Sequence, residues 1–169
     1  DKESALSAIA VLKRYKLNVY YDANKRGPNF NLAQHGSFVI SPASKGFNKL
    51  NVIGLHEYER DNKFSWTNGS VSIGFYNFIE TPDNLTAQLD TYMPDVCRGI
   101  IPEVFAVDEN DSQYHLTLEK REGDSFFYSV KFEHTTAIQR LNILSDTIDA
   151  PSDLRTLSFP FKRLEVRRK

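Results

Sequence analysis

Between Ser112 and Glu133 the chain reads SQYHLTLEKREGDSFFYSVKFE, two runs of period-2 alternation flanking Arg121-Glu122-Gly123. Alternation of this kind is the signature of strands with one buried and one wet face. A three-residue loop at Arg121–Gly123 sets Lys120 opposite Asp124, Leu118 opposite Phe126, Leu116 opposite Tyr128 and Tyr114 opposite Val130. Three apolar pairs and one opposite-charge pair then share a register, and Gly123 stands where such a loop needs a positive φ. One face carries Tyr114, Leu116, Leu118, Phe126, Tyr128 and Val130; the other carries Gln113, His115, Thr117, Glu119, Ser129 and Lys131. A hairpin of this sort fixes architecture and specifies no reaction.

The 169 residues are read as one domain spanning 1–169, long enough to bury a core without staples. Twelve Phe and eight Tyr against one Met favour strands. No run of about 18 apolar residues could span a membrane as a helix. The chain begins at Asp1 rather than Met, which reads as a mature product or an excised domain. Cys97 is the single cysteine, so neither an internal disulfide nor a cysteine-built zinc site is available.

In order, residues 2–15 read as a short apolar helix, and 17–22, 37–41 and 50–59 as strands. Asn68-Gly69 is the preferred dipeptide of a two-residue turn, predicting a hairpin with Trp66 opposite Val71 and Phe64 opposite Ile73. Thr81-Pro82-Asp83 has the look of a helix start, and Leu85, Leu89 and Tyr92 supply an apolar stripe ended by Met93-Pro94. That helix puts Asp83, Gln88 and Asp90 on its outer face. Strands follow at 100–107, through the organising hairpin, at 136–145 and at 156–166, where Pro160 interrupts. The fold class expected is all-β: a two-sheet β-sandwich with two short peripheral helices, a single up-and-down barrel being the alternative.

Net charge is −1 but unevenly spread: about +4 over residues 1–79, −8 over 80–124 and +3 over 125–169. The acidic middle speaks against nucleic acid as a partner of the whole domain. Nucleophile-elbow and glycine-rich phosphate motifs are absent. His35, His56, His115 and His134 form no i,i+4 pair; His115 and His134 with Glu119 or Glu133 are the one conceivable metal or acid–base group. Three sequons, at Asn68, Asn84 and Asn110, are little more than composition supplies.

The opening ESALSAIAVLKRYKLNVYYDANKRGPNF and the closing LSDTIDAPSDLRTLSFPFKRLEV resemble the chemokine-binding (SECRET) carboxy-terminal domain of poxvirus-encoded soluble TNF-receptor homologues. The resemblance covers essentially the whole chain. It implies a secreted viral immune-evasion β-sandwich that sequesters host chemokines, has no catalytic activity or cofactor, and follows cysteine-rich TNF-binding repeats. The standalone chemokine binders are disulfide-linked, whereas this chain has only Cys97. No contact residues carry over, so charge and face nominate them. The candidates are Glu103, Asp108, Glu109 and Asp111 before the hairpin, Glu119 and Glu122 on its wet face and tip, and Phe127 as a hydrophobic anchor. Rival readings are a structural capsid or fibre module, and a metal-dependent or ligand-binding β-fold enzyme.

Overall fold

The computed structural model describes residues 37–43, 52–81 and 84–168. Nine strands account for most of them: β1 (Ser37–Ile40), β2 (Val52–Glu59), β3 (Phe64–Thr81), β4 (Asn84–Thr91), β5 (Glu103–Asp108), β6 (Gln113–Glu122), β7 (Ser125–Lys131), β8 (Thr136–Leu144) and β9 (Pro160–Arg168). They lie in one sheet, ordered β1-β9-β4-β7-β6-β5-β8-β3-β2, and all of its pairings are antiparallel. A further pairing of β9 with β3 closes seven of the strands into a barrel. The expected two-sheet sandwich is therefore corrected: a single sheet curls until β9 meets β3, with β1 and β2 flanking the closure, which removes the seam between separate sheets. The path is not up-and-down either, because in the ring β3 to β4 and β8 to β9 each pass over one strand, and β4 to β5 and β7 to β8 each pass over two.

The helix expected over 81–93 is strand β4. Its burial alternates without a fault, Leu85, Ala87, Leu89 and Thr91 inside, Asn84, Thr86, Gln88 and Asp90 half-buried on the outside. A spacing of four satisfies a helix turn and two strand periods alike. The other expected helix, 2–15, and the strand at 17–22 lie outside the described residues. Among the described residues the one helical segment is a single 3-10 turn at Asp95–Cys97.

Asn68-Gly69 does not make a hairpin turn. β3, 18 residues long, continues through it, and Gly69 (φ +91°) marks the place where the strand changes neighbours. Before it, Ser65 and Trp66 pair with Phe161 and Pro160 of β9; after it, Ser70 to Gly74 pair with Leu144 to Arg140 of β8. A positive φ in mid-strand kinks the chain, and a barrel corner needs that kink. Just before the corner Thr67 and Phe159 lock the closure. The Thr67 amide donates to the Phe159 carbonyl (3.0 Å), the Thr67 hydroxyl to the same oxygen (2.9 Å), and the Phe159 amide back to the hydroxyl (3.1 Å).

The β6–β7 hairpin forms, in a different register from the one expected. Gly123-Asp124 is the turn, with Glu122 opposite Ser125, Arg121 opposite Phe126 and Lys120 opposite Phe127. Glu119 is then bulged, and Leu118 pairs with Tyr128. The bulge shifts the alternation by one residue, so Arg121 turns to the inner side at the barrel end. Its guanidinium lies 4.8 Å from the centroid of the Phe126 ring. The barrel interior is filled by Val71, Ile73, Leu85, Leu89, Val104, Leu116, Phe126, Leu141, Phe161 and Leu164, among others. Cys97 seals one end, its Sγ 3.3 Å from the Ser158 carbonyl, and burial pushes its pKa up to about 11.

Candidate functional site

The outer face of β9, β4, β7 and β6 carries a shallow groove of about 370 Å³. Its floor follows from register. Glu165 of β9, Gln88 of β4 and Phe127 of β7 stand in one row; Arg167, Thr86 and Ser129 form the next; Arg163, Asp90 and Ser125 form a third. Every one of these is the outward member of an alternating strand whose inward members are core. The groove is lined by the first two rows together with Glu119 from the bulge of β6.

These polar groups hold one another in place. Arg163 donates to Asp90 (3.2 Å) and to Glu165; Arg167 Nε donates to Glu165 at 2.7 Å. Asp90 also accepts from Gln88 Nε2 (2.9 Å) and the Ser125 hydroxyl (2.8 Å), and Glu119 accepts from the Ser129 hydroxyl. Glu165 is buried beneath its two arginines although it faces outward. The hydrogen bond from Arg167 holds its carboxyl below the usual range, with Arg163 adding to the effect against desolvation. Each group retains bonding capacity, since a carboxylate accepts up to about four hydrogen bonds and Gln88 keeps its carbonyl oxygen. The result is a rigid polar floor with one aromatic ring and nearly balanced charge.

Of the residues nominated from sequence, Phe127 and Glu119 come together in this groove, and Glu122 stands beside it, paired with Lys120 at 2.7 Å. Asp108, Glu109 and Asp111 gather at the β5–β6 turn, nine residues along β6 from Glu122, a separation of ~30 Å. Glu103 lies between, on the outer face, 3.8 Å from His115. The candidates thus occupy three places and not one patch. Asp108 is buried and builds its own turn: it accepts from the Asn110 and Ser112 amides (2.8 and 2.9 Å) and from the Tyr114 hydroxyl (3.0 Å). Asp111, at φ +65°, accepts from Gln139 (2.8 Å) and Arg140 (3.2 Å). Glu109 is exposed at the tip and, with Asp108, Glu133 and His134, borders a second groove of about 530 Å³.

His115 stacks on Phe105 with centroids 4.8 Å apart, while His134 lies in the exposed β7–β8 connection. Among the described residues, no three of His, Cys, Asp and Glu are grouped so as to hold a metal ion. Gln88, Asp90, Arg163, Glu165 and Arg167 were not nominated from sequence. The signal was present in Arg163-Leu-Glu-Val-Arg167, where a charge stands at every second position between Leu164 and Val166.

No family model matches the chain, and no curated protein does. Solved structures with a similar course of strands include a family 29 carbohydrate-binding module complexed with cellulohexaose. It is 13% identical and covers 78% of this chain and 87% of its own, with a TM-score of 0.41. A family 35 module from Cellvibrio japonicus is 12% identical over 77% of this chain and 91% of its own, with a TM-score of 0.38. At these values the likeness says nothing about what this chain binds.

Proposed function

We propose that this chain is a non-catalytic recognition module that holds a neutral glycan across β9, β4, β7 and β6. The row Glu165–Gln88–Phe127 carries this reading. Planar amide, carboxylate and guanidinium groups bond vicinal hydroxyls in pairs, and an aromatic ring packs against the C–H face of a pyranose. Opposing charges cancel along the floor, which gives an anionic polymer no purchase. Four strands at the usual spacing span ~14 Å, room for about three sugar rings laid across the strands. The floor is preorganised by its own salt bridges, so little ordering has to accompany binding.

The test is calorimetric titration with cellohexaose, mannohexaose and xylohexaose. Binding to at least one, weakened tenfold or more by Phe127→Ala and by Gln88→Ala and unaffected by ~0.5 M salt, is the expected result. Absence of binding to all three, or binding indifferent to both substitutions, would sink it.

The acidic β5–β6 turn favours a second reading, capture of basic host chemokines by a secreted viral domain. Glu109 and Asp111 are exposed there beside the second groove. Nanomolar chemokine binding that weakens with salt and on charge reversal at Glu109 and Asp111 would establish it over the glycan.

A further inference from the structure

Phe127 gives the groove its apolar surface, and a neighbouring side chain already lies on it. Lys120 Nζ is 4.5 Å from the centroid of the Phe127 ring. Alternation continued from Leu116 and Leu118 would place Lys120 on the inner side of the barrel. The bulge at Glu119 instead sets it directly opposite Phe127. The ammonium has a second partner, Glu122 Oε1 at 2.7 Å, and both side chains are more than half exposed. An exposed ammonium–ring contact is weak, and so is a solvated ion pair. The lysine stem is flexible enough to give up the ring and keep the carboxylate.

We propose that Lys120 gates the groove. Its ammonium stands over the Phe127 ring, where it limits the room for a sugar to stack, and binding moves it off the ring while Glu122 keeps hold of it. The gate rests on the glycan reading and adds to it a residue that sets affinity from beside the contact surface. A neutral ligand has to displace a cation that offers it no compensating charge. Removing the cation therefore strengthens binding, and replacing it with a cation that stacks better weakens binding. Glu122 is the partner that keeps the ammonium once it leaves the ring, so its loss removes that alternative and leaves Lys120 more firmly on Phe127.

Titration of wild type, Lys120→Met, Lys120→Arg and Glu122→Gln with the same three hexasaccharides tests this, each variant first matched to wild type in its urea midpoint. Lys120→Met binds two- to tenfold tighter, and Lys120→Arg and Glu122→Gln bind more weakly. In the free protein the Lys120 ε-methylene protons resonate upfield under the Phe127 ring current, and they move downfield on saturation. Binding by wild type that is unchanged or weakened in Lys120→Met overturns the gate while leaving the groove reading standing. Failure of both wild type and Lys120→Met to bind any of the three overturns the groove and the gate together.

Discussion

Gly54 of β2 backs onto Ser70 of β3 so closely that a β-carbon on Gly54 would stand 2.0 Å from the Ser70 carbonyl oxygen. Its φ of +94° is a conformation that residues with side chains avoid. Gly54→Ala is expected to lower stability by at least ~2 kcal/mol, seen as a reduced urea midpoint at unchanged slope. A loss under about 0.5 kcal/mol would show that β2 and β3 do not approach in this way.

Asp108 reads in the sequence as an acid free for a partner, yet three donors of its own turn already use it. Asp108→Ala leaves those donors without their acceptor and is expected to cost about 1–3 kcal/mol in chemical denaturation. Glu109→Ala, at the tip of the same turn, is expected to change stability by less than ~0.5 kcal/mol.

Cys97 is enclosed beneath the Asp95–Cys97 turn, and burial raises its pKa to about 11. At pH 8 it is a neutral thiol with no route for reagent. The folded protein is expected to resist a disulfide reagent for hours and to react fully within minutes in denaturant. Fast labelling under native conditions would contradict the sealed barrel end.

Arg155 donates to both Asp153 oxygens, with the closest approach 2.6 Å, and holds that carboxyl at about 2. A depressed folded-state pKa contributes stability above the unfolded value of 3.8 and loses it as pH falls towards 2. Wild type is therefore expected to lose stability more steeply than Asp153→Asn between about pH 4 and 2. Parallel curves in that window would show that the pair does nothing for the loop.

Leu89 and Gln88 are neighbours on β4 with opposite fates. Leu89→Ala is expected to cost about 2–5 kcal/mol by opening a cavity in the barrel, and Gln88→Ala less than ~0.5 kcal/mol.

The strand content and most strand positions were legible from alternation, because half-buried strands write their two faces directly into the sequence. The misreadings have local physical causes. In β4, Leu85 and Leu89 fit either period, and a good helix start at Thr81-Pro82 tipped the balance until tertiary pairing with β7 and β9 overrode it. Asn68-Gly69 supplies a positive φ, and a barrel corner uses that as readily as a turn does. The hairpin register slipped because a bulge at Glu119 leaves no mark in the pattern of apolar residues. The groove was harder to foresee. Its floor is assembled from strands 40 to 80 residues apart, and no local window contains the row Glu165–Gln88–Phe127.

β9 pairs with β1, β4 and β3, so the strand that completes the ring lies at its far end in sequence order. As the chain is synthesised, the earlier strands emerge with their core-facing residues uncovered, and none can be enclosed until 160–168 arrives. Such dependence on distant partners predicts slow, all-or-none folding on the millisecond-to-second scale. It also predicts that cutting the chain before Pro160 yields an aggregating fragment and not a smaller barrel.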